Sequence, residues 1–224
     1  MLVIEIARPL DLSPRAEPRA LGQLAVRRLK EGFDAIAVCC DGSDSSDSLQ
    51  DLVATVRAIE GCPSYRDVPV LAKDWLLHPL QLLDTVDAGA AGFLGLVRQV
   101  SGGGTMTLSR FGTALGLDVP VEVVNAQEAA EAARAGVSLY ALGTSVGISV
   151  SVPGFRESVT EGVLETLPFG SLSIVGVRTV EECRRARYAG ADALLVRREM
   201  IEGLSDREVV QLVDDIRYAC SGDE

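Results

Sequence analysis

The sequence predicts an α/β fold built as a (β/α)8 barrel, in one domain spanning residues 1–224. Three observations lead there. Apolar strand-like runs alternate with amphipathic helix-like runs from end to end. Eight such units in 224 residues match the length of one barrel. A junction of helix, Ala-Gly and apolar strand recurs at Asp87-Ala88-Gly89-Ala90, Ala133-Arg134-Ala135-Gly136 and Tyr188-Ala189-Gly190-Ala191, as a repeated unit would leave it. The alternative is a doubly wound open sheet; no Gly-x-Gly-x-x-Gly follows the first strand, which weakens its dinucleotide-binding form.

The strands are read at Leu2–Ala7, Ala35–Cys40, Pro69–Asp74, Gly92–Arg98, Pro120–Asn125, Ser138–Ser145, Ser171–Val177 and Ala193–Arg197. Between them, Pro18–Gly32 places Leu21, Leu24, Ala25 and Leu29 on one helical face, and Ser46–Ile59 opens with serines and acids that suit an N-cap. Further helices are expected over Pro79–Ala88, Ser101–Leu115, Ala126–Ala135, Phe155–Leu167, Thr179–Ala189 and Ser205–Cys220. Gly32, Gly89, Gly116, Gly136 and Gly190 follow helical runs where a left-handed C-cap is needed.

Bulk chemistry narrows the function classes. Hydrophobic residues make up 47% of the chain and aromatics only 4%, so the core is aliphatic. A formal charge of −11 argues against nucleic-acid backbones and anionic membranes as partners. No run reaches the roughly 18–20 apolar residues that span a bilayer. No charged n-region precedes an apolar h-region, so a cytoplasmic protein is expected, or a plastid-type organelle if a transit peptide preceded residue 1. The five cysteines match no zinc spacing and read as free thiols in a reducing compartment, most of them core residues. No metal and no organic cofactor are expected.

Chemistry concentrates at strand ends. Pro69-Val70-Leu71-Ala72-Lys73-Asp74-Trp75 is an apolar strand ending on a lysine and an aspartate. Pro120-Val121-Glu122-Val123-Val124-Asn125 repeats the design with a carboxylate, and Leu2-Val3-Ile4-Glu5-Ile6-Ala7 sets another inside an apolar strand. Such groups are costly to bury unless paired or used. In a barrel they meet at the mouth formed by the C-terminal strand ends, as an acid–base site or as an internal salt-bridge network. His78, the one histidine, is placed in a loop or at a helix start. Gly102-Gly103-Gly104 lacks the Gly-Lys-Ser ending of a P-loop and reads as a turn. Gly143–Gly147 reads as a pliable loop or an anion nest. In Val146–Val152, Ile148 and Val150 alternate with Gly147, Ser149 and Ser151, as in an exposed edge that recruits a partner or a short extra strand over the rim.

With these residues in place, the chain resembles the indole-3-glycerol-phosphate synthase family, a tryptophan-pathway barrel. Residues 69–75 resemble its Pro-Val-Leu-x-Lys-Asp-Phe strand, and His78-Pro79-Leu80-Gln81 its Asp-Pro-Tyr-Gln. Ser48-Leu49-Gln50-Asp51-Leu52 is similar to the loop and helix start after the second strand. Val121-Glu122-Val123-Val124-Asn125 resembles Val-Glu-Val-His-Asn. Ala189-Gly190-Ala191-Asp192-Ala193-Leu194-Leu195-Val196 is similar to the entry to the eighth strand. The resemblance implies a TIM barrel that closes the indole ring of a carboxyphenylamino-deoxyribulose phosphate with loss of carbon dioxide and water, using no metal or cofactor. It implies Lys73 as general acid, Glu122 as acid or base of the dehydration and Glu5 as a supporting carboxylate. Asp74, Asn125, Gly176, Arg197 and Ser13 would be substrate-binding.

The chain also departs from the family pattern. A lysine expected two residues after Glu5 is Ala7, and Ser13-Pro14-Arg15 falls three residues later than the family's Ser-Pro-Ser. Gly143-Thr144-Ser145 stands for Asn-Asn-Arg, Ser173-Ile174-Val175-Gly176-Val177 for Ser-Glu-Ser-Gly-Ile, and Arg197-Arg198-Glu199 for the phosphate-cradling Gly-Glu-Ser. The barrel is expected to lack the family's N-terminal helical capping extension. Arg197 either fills the phosphate space or binds the phosphate with its fork. Two expectations follow: a catalytically impaired barrel acting as a scaffold or subunit with a protein partner, or an active lyase with a remodelled site for its phosphorylated substrate.

Overall fold

The computed structural model describes residues 1–8, 18–40, 48–97, 104–144 and 155–221. The strands are β1 Leu2–Ile6, β2 Ala35–Cys39, β3 Val70–Lys73, β4 Gly92–Leu94, β5 Leu96–Val97, β6 Val121–Glu122, β7 Leu139–Leu142, β8 Leu172–Val177 and β9 Ala193–Val196. The helices are α1 Pro18–Lys30, α2 Ser48–Glu60, α3 Pro79–Asp87, α4 Thr105–Ala114, α5 Ala126–Arg134, α6 Phe155–Leu164, α7 Val180–Tyr188 and α8 Asp206–Ser221, with a short 3-10 turn at Arg198–Met200.

Every pairing is parallel, in the order β4-β3-β2-β1-β9-β8-β7-β6-β5. The two ends of this sheet, β4 and β5, are halves of one chain run parted by Gly95. The fourth strand therefore pairs back to β3 through its first half and on to β6 through its second, and the ring closes. Sequence periodicity predicts one continuous strand there. The break centres on one residue: Gly95 has φ +121°, and a Cβ on it would stand 1.6 Å from the carbonyl oxygen of Asp74, at the end of the neighbouring strand.

Alternation along the strands sorts side chains between two cores. Leu2, Ile4, Ile6, Ile36 and Val38 face the helices in the large outer core. Val3, Ala35, Ala37, Leu94, Ala141, Ile174, Ala193 and Leu195 fill the barrel interior. Four of these eight are alanines, so the interior is narrow and aliphatic, as the scarcity of aromatics foretells. The same alternation turns Glu5, Lys73 and Glu122 inward at the upper ends of β1, β3 and β6.

The helix boundaries follow the capping signals. Asn125 caps α5 by accepting from Glu128 N at 2.9 Å, and Thr179 caps α7 by accepting from Glu182 N at 3.1 Å. His78 sits at the start of α3, as expected, accepting from Leu80 N through Nδ1 at 3.2 Å. The repeated Ala-Gly junction is one repeated helix stop. Ala88, Ala135 and Ala189 close their helices in right-handed conformation, and Gly89, Gly136 and Gly190 then turn left-handed. Among the described residues, no helix is long and apolar enough to cross a membrane, and no group of His, Cys, Asp or Glu is arranged to hold a metal ion.

Cys183 lies fully buried on α7. Burial, reinforced by charge repulsion from Cys220 and Glu182, pushes its thiol up to about 12. The folded state keeps the proton longer than the unfolded chain, whose thiol titrates near 9.0. This contribution is whole below pH 9 and is lost as pH rises toward 12. Urea unfolding of the wild type and Cys183→Ala should accordingly differ less at pH 10 than at pH 8, by on the order of 1 kcal/mol. An unchanged difference would show that the thiol ionises equally in both states.

Candidate active site in the barrel mouth

The upper strand ends bring together the ionisable groups singled out in sequence. Glu5 is 3% exposed, Lys73 9%, Arg197 8% and Glu122 0%. The Glu5 carboxylate is the hub. Its Oε2 lies 3.6 Å from Lys73 Nζ and 3.3 Å from Arg197 Nε, and its Oε1 accepts from Cys39 Sγ at 3.3 Å. The Arg197 contact is an ion pair without hydrogen-bond alignment, since both Glu5 Oε2 and Arg197 Nε lack a hydrogen-bond partner. The guanidinium reaches on to donate through Nη1 to the Thr144 carbonyl. Thr144 Oγ1 donates to Glu122 Oε2 at 2.7 Å.

The network thus runs from β3 through β2, β1 and β9 to the end of β7 and on to β6. Strand β8 lies between β9 and β7 and contributes Gly176. A Cβ there would stand 2.1 Å from the Gly143 carbonyl oxygen, so the absent side chain lets the end of β7 close onto β8. That approach puts the Thr144 carbonyl within reach of Arg197. Within this network the formal charges of Glu5 and Glu122 balance those of Lys73 and Arg197. Buried ions persist only when paired in this manner. Burial first, then the Glu5 carboxylate, raises the Cys39 thiol far above its ordinary range, which keeps it protonated as the donor to Glu5.

The other sequence-predicted residues lie nearby with local duties. Asp74 accepts from Trp75 N at 2.7 Å through Oδ1 and from Gln81 Nε2 at 3.2 Å through Oδ2, which shapes the turn after β3. Asn125 caps α5 after β6. Ser13, Gly102, Gly103 and the Val146–Val152 segment lie outside the described residues. A cleft of about 580 Å3 opens beside Glu5, lined by Ala7, Arg8, Arg28 and Glu199 among others.

Sequence reasoning misses three participants. In sequence Thr144 is only part of a small-residue loop, yet it is fully buried and holds Glu122. In sequence Cys39 reads as a core thiol, and only the pairing of β2 with β1 brings it to Glu5. Arg8 forms a buried two-point pair with Asp51, Nη2 to Oδ1 at 2.5 Å and Nε to Oδ2 at 3.1 Å, fastening the end of β1 to the first turn of α2. Its two partners are 43 residues apart, beyond any local pattern.

Fold and site together define a (β/α)8 barrel with a buried, charge-paired cluster of ionisable groups in its C-terminal mouth. No family model matches the chain. It is 26% identical over 213 residues to the indole-3-glycerol phosphate synthase of Exiguobacterium sibiricum, covering 93% of this chain and 76% of that protein. It is 28% identical over 187 residues to that of Halalkalibacterium halodurans (80% and 67%) and 32% identical over 177 residues to that of Haloarcula marismortui (77% and 61%). Among solved structures, the tryptophan synthase alpha subunit of Legionella pneumophila aligns with TM-score 0.69 at 17% identity, over 98% of this chain and 92% of that one. The N-acetylmannosamine-6-phosphate 2-epimerase of Clostridium perfringens aligns with TM-score 0.66 at 14% identity, over 96% and 92%. These two share the fold. The chain is thus a (β/α)8 barrel similar in sequence to indole-3-glycerol phosphate synthases.

Proposed function

We propose that this barrel is catalytically impaired as a synthase and serves as a non-catalytic subunit in a larger assembly. One observation carries the reading: Arg197 stands where the family resemblance implies a phosphate-cradling glycine, and its guanidinium is spent on Glu5 and the Thr144 carbonyl. Phosphate sites need backbone N–H groups freed by small residues. Here a buried side chain takes that part of the mouth. Lys73, the general acid by resemblance, is paired with Glu5, whose other oxygen is held by Cys39. Without a phosphate anchor, the binding energy that orients the reacting atoms is lost.

A second reading draws on Lys73 and Glu122, which stay inward-facing on β3 and β6. In an active lyase, Lys73 would protonate the carbonyl oxygen at ring closure, Glu122 would move the proton of dehydration, and Arg197 would turn from Glu5 to the substrate phosphate. Asp74, Asn125 and Gly176 would shape the loops around that substrate.

The test is the purified protein with the carboxyphenylamino-deoxyribulose phosphate, followed by indole-product fluorescence, with Lys73→Ala alongside. The expected outcome is no turnover above that of Lys73→Ala. Turnover abolished by Lys73→Ala would establish the second reading instead.

A further inference from the structure

Exposed apolar side chains are unevenly spread over this molecule. Among the described residues, five of the thirteen large exposed hydrophobics fall within residues 75–86: Trp75 at 37%, Leu77 at 62%, Leu80 at 58%, Leu83 at 38% and Val86 at 38%. Single exposed leucines need no explanation, whereas a cluster marks an interaction surface. Leu77, Leu80, Leu83 and Val86 are spaced by three, the step between neighbours on one helical face. Leu80, Leu83 and Val86 form a row along α3 beside the buried Leu82 and Thr85, and Leu77 leads into it from the turn before the helix.

The row is rigidly presented. Gln81 accepts from Leu77 N at 2.8 Å and from His78 N at 2.9 Å, and its amide donates to the Trp75 carbonyl at 2.8 Å and to Asp74. One side chain thus clamps the whole turn that carries Trp75 and Leu77 onto α3. Exposure here belongs to an ordered hydrogen-bonded frame.

Charge selects the occupant. The row is flanked on α3 by Asp84 and Asp87, both exposed, and α3 carries no lysine or arginine. Two copies meeting face to face would bring these carboxylates together. A partner bearing lysine or arginine beside its own apolar face would pair with them.

We propose that the outer face of α3, with Trp75 and Leu77, is a docking surface for an amphipathic helix of another protein, apolar on one side and basic on its flanks. This supplies a surface for the assembly proposed above, but it rests on α3 alone and is independent of whether the mouth turns over substrate.

Trp75 is the chain's one tryptophan and lies on the surface, so it reports directly. The probe is a helical peptide of roughly five turns, leucine on one face and lysine on the other. Titration is expected to shift Trp75 emission to the blue, with affinity falling as salt rises. Leu80→Asp with Leu83→Asp should weaken binding at least tenfold even though it makes the protein more acidic. Leu80→Asp alone should weaken it less, with unchanged circular dichroism. Asp84→Asn with Asp87→Asn should weaken it several-fold and flatten the salt dependence. A leucine–glutamate peptide should not bind. Binding unchanged by Leu80→Asp with Leu83→Asp would overturn the proposal, because attraction to the net charge alone would then explain it. So would a homodimer in sedimentation equilibrium that those substitutions dissociate, which would make a second copy the occupant. The substrate assay is read separately, so failure of one proposal leaves the other standing.

Discussion

Gly95→Ala is expected to cost more than about 4 kcal/mol of stability, or to prevent folding altogether. Two independent constraints meet at this residue. Its φ of +121° lies outside the range of an L side chain, and its Cβ would overlap the Asp74 carbonyl oxygen at 1.6 Å. The obstructing atom is backbone and cannot rotate away. The same residue accepts from Leu76 N at 3.1 Å, so moving it also disturbs the turn that follows Lys73. Because Gly95 joins the two segments that close the ring, the damage should spread to the β3–β4 and β5–β6 pairings alike. Urea unfolding monitored by circular dichroism measures this. A midpoint near the wild-type value would mean that the two segments can re-space without loss.

Glu5→Gln should cost about 3–5 kcal/mol, the usual penalty for removing one partner of a buried ion pair. The loss falls on Lys73 and Arg197 together, which would be left as two buried cations with no carboxylate between them. Adding Arg197→Met to Glu5→Gln should restore part of the stability, since it withdraws one uncompensated charge. The double-mutant cycle should therefore show a coupling above about 1 kcal/mol, as contacting residues in one network do. Simple addition of the two single effects would show that Arg197 and Glu5 are close in space but energetically independent. The result also bears on function. A strongly coupled Arg197 is a structural tie, whereas a weakly coupled one is free to turn toward an anion.

The barrel itself is legible because its causes are local. Eight apolar runs, Ala-Gly helix stops and Asn, Thr or His caps each act within a few residues, and the elements found match those read from sequence to within a few positions. The fourth strand is the exception, since the clash that makes Gly95 necessary comes from Asp74, which arrives from the neighbouring strand. The ionisable members of the mouth were also readable, because Glu5, Lys73 and Glu122 interrupt runs that are otherwise apolar. The uncharged members and the neighbouring Arg8–Asp51 pair are not. Thr144 and Cys39 carry no pattern of their own, and Arg8 finds Asp51 only when β1 is laid beside α2.

The repeat, the inward positions and the set of charges a barrel of this kind must accommodate are written in the order of residues. These follow from strand alternation and from the cost of an unpaired buried ion. Which charge meets which emerges only in the folded barrel, because pairing depends on strand register and on the close approach of β7 to β8 at Gly176. That is why Arg197, ambiguous in sequence between filling a phosphate site and serving one, is found bound to Glu5 and the Thr144 carbonyl.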